Sequence, residues 1–326
     1  MTTTETKPRR RITSLEVLCG VLLLALIGQS WLASALDVRA LRTGATVFVA
    51  VCMQALPFLV LGVLVSGAIS AFVSADALRR VLPRRTALAV PVAGVAGLAL
   101  PNCECAAVPV TKRLIQQEVP ASVAVTFLLA APAVNPIVLV ATAVAFPGEP
   151  AMVLARFAGS MGTAIVMGFL WARFGRMEWF AERVMRRAPE RTGSRWAMFA
   201  ETARQDLVDA GGFLVLGGLA AAALNVVVPR EWLDTLGDQV VLGIVVMALL
   251  AVLLALCSEA DAFVVASLSA MPLLPRLVFL VVGPAVDIKL ISLQAGTLGR
   301  RFAMRFAPVT FVVAIGCAVA AGLVFL

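Results

Sequence analysis

Long apolar runs constrain this chain more than any other feature. They lie at about 17–36, 44–73, 121–146, 151–171, 210–228, 276–295 and 306–326. Two more, 87–110 and 240–271, are interrupted near the middle by polar residues. A bilayer span needs roughly 20 apolar residues, and the hydrocarbon layer admits only structures that satisfy their own backbone hydrogen bonds. The runs are continuous rather than alternating, so the sequence predicts an all-α integral membrane protein. Little remains for anything else: 61% of the 326 residues are apolar and 14% charged, against about 45–50% and 25% in soluble domains.

Composition also limits the chemistry. The chain has no histidine, which excludes the Ser-His-Asp triad, His-ligated zinc, axial His haem ligation and a His proton relay. Carboxylates, lysine, thiols and amides are what remain. No enzymatic activity and no cofactor is expected. The six cysteines (Cys19, Cys52, Cys103, Cys105, Cys257, Cys317) sit in or beside apolar segments, unlike a secreted disulfide framework, and read as reduced.

The net charge of +8 is a topology signal, because Lys and Arg concentrate in cytoplasmic loops. If the two interrupted segments are re-entrant hairpins, one face receives Arg9-Arg10-Arg11, Arg79, Arg80, Arg84, Arg85, Lys112, Arg113, the arginines of 173–204, and Arg300, Arg301 and Arg305. The other receives the loop Pro147–Pro150 and the acidic loop 230–238, with Arg39, Arg42 and Arg276 as exceptions. Full spans would scatter the basic loops to both faces. Hairpins therefore fit better: about seven to nine transmembrane helices, two of these elements being broken or re-entrant. Ala33-Ser34-Ala35 resembles a cleavage site, but the run before it is longer than a signal-peptide core, so it reads as an uncleaved first helix. The N-terminus and the basic linker are expected on the cytoplasmic side.

An internal repeat runs through these segments. Phe58-Leu59-Val60-Leu61-Gly62 recurs as Phe213-Leu214-Val215-Leu216-Gly217, with Gln54 matching Asp209 and Glu104 matching Glu259. Pro132-Ala133-Val134-Asn135 recurs as Pro284-Ala285-Val286-Asp287, and Arg156-Phe157-Ala158 as Arg305-Phe306-Ala307. Three spans per copy would insert the copies in opposite senses, which predicts two inverted repeats, a secondary-transporter architecture. The chain divides accordingly into a tail and first helix (1–43), repeat 1 (44–171), a basic linker (172–206) and repeat 2 (207–326). The linker, with Trp179, Phe180 and Trp196 among its arginines, reads as a connector lying on anionic lipid; it carries no nucleic-acid motif, and no nucleic-acid partner is expected.

Ionisable groups at membrane depth are expensive and mark function. The first cluster is Asn102, Cys103, Glu104 and Cys105, following the helix-opening Pro101. Two thiols beside a carboxylate suit soft ions, so Cys103 and Cys105 are candidate ligands of a transported metal or metalloid ion. The second is Cys257, Ser258, Glu259 and Asp261. The third comprises Asn135 beside Pro132, and Asp287 and Lys289 beside Pro284, where broken helices would aim backbone groups at one point. Lys289 should pair with Glu104, Glu259 or Asp261, since Asp287 does not face it on a regular helix. Four acids against one lysine also predict that at least one carboxyl is protonatable near neutral pH, as proton coupling requires.

Together, Pro101–Cys105, Val108-Pro109-Val110, Phe127–Pro136 and Cys257–Phe263 resemble the ArsP-type predicted permease family, over roughly 45–320. The resemblance implies a polytopic inner-membrane permease of the kind whose characterised members export trivalent organoarsenicals, with Cys103 and Cys105 holding a thiophilic metalloid. Ala106 and Ala107 stand where the family pattern suggests glycine. Three alternatives compete with a thiophilic exporter: a permease for an unrelated small solute, a membrane thiol-disulfide oxidoreductase using Cys103 and Cys105, and a structural or assembly subunit without a pathway, which would leave the ionisable residues at membrane depth without a purpose. The expected partners are the lipid bilayer and a small-molecule or ion substrate; the sequence sets no oligomeric state.

Overall fold

A computed structural model describes residues 39–72, 83, 85–99, 104–185, 194–227, 240–258, 260–268 and 271–326. Asn102, Cys103 and Glu259, the tail and first apolar run, and the acidic loop 230–238 lie outside the described residues. Within them the secondary structure is entirely helical.

Helix α1 covers Arg39–Phe72, followed by α2 (Thr86–Ala96), α3 (Glu104–Gln116), α4 (Ala121–Ala133), α5 (Pro136–Ala145) and α6 (Pro150–Phe174). The second half contains α7 (Arg195–Val227), α8 (Val240–Leu254), α9 (Asp261–Ala266), α10 (Leu273–Ala285), α11 (Ile288–Thr297) and α12 (Arg300–Phe325). Five stretches among the described residues are long and apolar enough to cross a membrane: Gly44–Phe72, Ala121–Ala145, Pro150–Phe174, Leu273–Thr297 and Arg300–Phe325. Helix α7 lies antiparallel against α1, with Gly218 beside Phe48 and Val51, Asp206 on Ser66, and Trp196 on Phe72. It therefore passes through the same layer, running straight across the expected linker boundary at residue 206.

The interrupted segments are hairpins. Helix α2, at about 16 Å, is too short for a hydrocarbon layer of about 30 Å. Its Ala89 and Ala93 cluster with Val119 and Val123, Gly94 lies against Thr126, and Gly97 against Ala130 and Ala131. Thus α2 runs alongside α4 in the same direction. Helix α3, joined to α4 by the tight turn at 117–120, runs the opposite way. Helices α2 and α3 thus run in opposite senses beside α4, with α2 ending and α3 beginning near the depth where α4 ends. Helix α8 repeats the pattern against α10: Gly243 meets Pro275, and Ala251 meets Gly283. The tip after α8 is turned by Ala255, which holds φ 49°, a left-handed conformation that costs an alanine energy.

The two spans beside these hairpins are broken at equivalent places. Between α4 and α5, Asn135 caps the second segment by accepting from Val138 N at 3.0 Å. Between α10 and α11, Asp287 does the same for Leu290 N. Both caps satisfy backbone donors that the break exposes. Other repeat landmarks do not keep equivalent neighbours: Gly62 packs on Ala106 of the first hairpin, whereas Gly217 packs on Lys289 of α11. At each, an added Cβ would fall within 3 Å of backbone, so only glycine permits the approach. Ala106 itself is helical, which explains why alanine is acceptable there.

One face of the layer is closed by aromatic packing. Trp171 stacks edge-on to Trp179, Phe302 and Phe306, Phe180 lies flat on Phe302, and the Arg305 guanidinium sits 4.8 Å from the Trp179 ring. Ala181 N donates to Leu298 O at 2.7 Å. The ends of α3, α6 and α11 meet this face, with Arg113, Arg173, Arg300, Arg301 and Arg305; the loop Pro147–Pro150 meets the other.

Candidate functional site

Lys289 stands in the first turn of α11, just past the break, and is fully buried. Its Nζ donates to Glu104 Oε1 at 2.7 Å, and lies 3.5 Å from the Ala255 carbonyl and 3.8 Å from Cys257 Sγ. Glu104, also fully buried, begins α3 where the first hairpin turns back. A carboxylate in the first turn complements the positive end of the helix dipole. Its Oε2 accepts from Ser258 Oγ at 3.1 Å. Asp287 lies outside the helix as its cap, so its carboxylate folds back to 3.8 Å from Lys289 Nζ. Regular helical spacing would keep these two apart; the break changes that. Asp287 Oδ2 has no hydrogen-bond partner.

Cys105 follows Glu104 and is fully buried. Cys257, from the other hairpin tip, brings its Sγ to 3.8 Å from the Lys289 ammonium. Pro109 lacks an N–H, which leaves the Cys105 carbonyl outside the α3 ladder. The centre thus joins a carboxylate, an ammonium and two thiols, contributed by both hairpin tips and one broken span. Among the described residues no three Cys, Asp or Glu side chains converge as a metal cage.

Toward the face bearing the Pro147–Pro150 loop lies a second charged group. Arg156 on α6 is fully buried, and its Nη2 donates to Asp261 Oδ1 and Oδ2 at 2.9 and 2.8 Å and to the Ser258 carbonyl at 3.0 Å. Its Nη1 donates to Thr142 Oγ1 at 2.7 Å. Toward the basic face lies a third. Lys112 Nζ donates to Asp206 Oδ1 at 2.9 Å, Ser66 Oγ to Asp206 Oδ2 at 2.6 Å, and Arg113 reaches the same carboxylate at 3.5 Å.

Of the residues expected from sequence, Glu104, Cys105, Cys257, Ser258, Asp287 and Lys289 come together. Asp261 belongs to the neighbouring Arg156 group. Asn135 caps α5 and donates to Ala131 O at 3.2 Å. Sequence reasoning missed Arg156, although a lone arginine within an apolar span is itself a signal. Adding it changes the charge balance expected from four acids against one lysine. Lys112 and Arg113, expected in a solvated loop, are instead buried at the end of α3. The tight turn at 117–120 leads from them directly into α4, and Asp206, with Asp209 3.8 Å from Lys112, supplies the counter-charge that makes their burial tolerable.

Comparison with known proteins decides the family. A family model described as a predicted permease, of the ArsP type, matches residues 40–325. The chain belongs to the ArsP-type predicted permease family. It is 32% identical over 271 residues to a protein of Streptococcus mutans described as a candidate two-component membrane permease complex subunit, covering 80% of this chain and 88% of that one. It is also 32% identical over 275 residues to the UPF0718 protein YcgR of Bacillus subtilis, covering 83% and 93%. No solved structure matches. This family membership and the apolar helices make the chain a multi-pass membrane permease.

Proposed function

We propose that this permease exports a small thiophilic solute, a trivalent arsenical or a soft metal ion, from the cytoplasm by alternating access. The observation that carries the reading is the Lys289 Nζ to Cys257 Sγ approach of 3.8 Å, with Cys105 fully buried next to Glu104, the ion-pair partner of that ammonium. The thiolate is the form that binds soft ions, and the Lys289 ammonium supplies a counter-charge within reach of Cys257. Two thiols from different hairpins then face one buried centre that is otherwise occupied by an ion pair.

Coupling to protons follows from ligand chemistry. Thiols lose their protons on binding a soft ion, so protons and cargo compete for the same sulfurs. Acid on the outer side reprotonates them and releases the cargo there. Glu104 shares Lys289 with the thiols, and its carboxylate keeps the ammonium in place whether or not cargo is bound. The basic face is the cytoplasmic one, in the plasma membrane, and the two halves act as inverted repeats moving about the centre.

The test is transport by reconstituted protein with As(III), methylated arsenicals, Sb(III), Cu(I) and Zn(II), comparing wild type with Cys105→Ser, Cys257→Ser and Lys289→Met. Loss of transport of at least one solute in the cysteine variants is the expected result. Identical behaviour of all four proteins toward every solute overturns the thiophilic reading. Indifference to an imposed pH gradient removes the proton exchange.

A further inference from the structure

The three charged groups share a pattern. In each, the shortest ion pair joins opposite halves of the chain: Glu104 with Lys289, Arg156 with Asp261, and Lys112 and Arg113 with Asp206. They also lie at three depths. Lys289 Cα lies against Gly217 of α7, and Asp206 precedes Gly217 by eleven residues on the same helix, about 16 Å nearer the basic face. On the other side, Thr142 lies seven residues beyond the Asn135 break, about 10 Å toward the opposite face. Arg156 joins that threonine to Asp261. The central pair is therefore enclosed by one ionic cluster above and another below.

We infer that the outer clusters are the two gates of the pathway: Lys112 and Arg113 with Asp206 close the centre from the basic face, and Arg156 with Asp261 closes it from the opposite face. The inference rests on the alternating-access reading above. Buried ion pairs stabilise a fold little better than apolar packing of the same volume. Their value here is that each can dissociate into water when its side opens. Both clusters contain a polar atom that closure leaves without a hydrogen-bond partner: Arg113 Nε at one, Arg156 Nε at the other. Hydration on opening would satisfy them, which lowers the cost of parting each pair. The gates are also wired to the centre. Helix α3 carries Glu104 at one end and Lys112 and Arg113 at the other, while Ser258 touches both Glu104 and Arg156. Displacing either gate disturbs the central pair.

Cys257, 2% exposed at the centre, is a built-in reporter. Right-side-out and inverted vesicles containing the full chain are treated with a membrane-impermeant maleimide, and the label on Cys257 is read by peptide mass spectrometry. Asp206→Asn should raise the labelling rate from the basic face by about tenfold or more, leaving the other face unchanged, while Asp261→Asn does the reverse. The exchange Lys112→Asp with Asp206→Lys should return basic-face labelling toward the wild-type rate. Equal rises from both faces in both variants would reveal a loosened fold, and unchanged labelling would reveal inert pairs; either result overturns the gates, as does failure of the exchange to restore closure. Because the readout needs no substrate, a negative transport panel with one-sided labelling would remove the proposed cargo and leave the gates standing.

Discussion

Glu104 and Arg156 hold the same serine from opposite sides. Ser258 donates its hydroxyl to Glu104 at 3.1 Å, while its carbonyl accepts from Arg156 at 3.0 Å. One residue at a hairpin tip therefore connects the buried centre to the charged pair nearer the Pro147–Pro150 face. Ser258→Ala removes only the hydroxyl. It should cost about 1.5–3 kcal/mol, the scale of a hydrogen bond to a charged group, seen as a lower thermal midpoint in detergent. Ser258→Thr, which restores a donor, should recover part of it; equal midpoints for all three proteins would show that the bond contributes nothing.

Removing one member of the central pair is worse than removing both. Lys289→Met leaves Glu104 buried with an uncompensated charge and should lose about 3–5 kcal/mol. The double variant Glu104→Gln with Lys289→Met should regain the part of that stability owed to Glu104, with Asp287 still lacking its ammonium, and remain inactive in transport. Denaturant titration of the three proteins checks the ordering, which a purely additive loss would contradict.

Asp287 has two separable roles, as the cap of α11 and as a charge 3.8 Å from Lys289. Asp287→Asn keeps the cap, so it should unfold within about 1 kcal/mol of wild type, whereas Asp287→Ala should lose about 1 kcal/mol more. If the charge matters for coupling, Asn alone should alter the pH profile of transport. Coincident profiles for wild type and Asp287→Asn would confine this residue to capping.

Gly62 and Gly217 bring helices to contact where a methyl group has no room. An added Cβ at Gly62 would stand 2.5 Å from Ala106 Cα, and one at Gly217 2.9 Å from Lys289 Cα. Gly62→Ala and Gly217→Ala should each destabilise by about 1–3 kcal/mol, the usual cost of overpacking. Gly212, whose Cβ would meet nothing within 4 Å, provides a control: Gly212→Ala should be neutral or slightly stabilising in the same melt.

Much of this was legible in the sequence because membrane burial writes long, nearly uncharged runs. The hairpins were visible through the distribution of arginines, and the breaks through Pro132 and Pro284, since a missing N–H has the same consequence wherever the helix lies. Lys289 was expected to reach Glu104, Glu259 or Asp261, and it does reach Glu104, at 2.7 Å. What sequence did not disclose was pairing over distance. Lys112 and Arg113 look like loop residues until Asp206, more than 90 positions later, is placed beside them. Arg156 likewise looks like a repeat landmark matching Arg305, yet one is buried against Asp261 and the other lies exposed over Trp179.

The split of these charges between the halves has a consequence for biosynthesis. The first half contributes one acid, Glu104, and three bases, Lys112, Arg113 and Arg156; the second contributes three acids, Asp206, Asp261 and Asp287, and one base, Lys289. Counting these buried pair members alone, the halves are imbalanced by two charges, opposite in sign. During synthesis the N-terminal half enters the lipid before its neutralising partners have been made. It must keep those side chains near water until the last helices arrive, so final packing waits for the end of translation. Two separately expressed halves should for the same reason be unstable alone and rescue one another when made together.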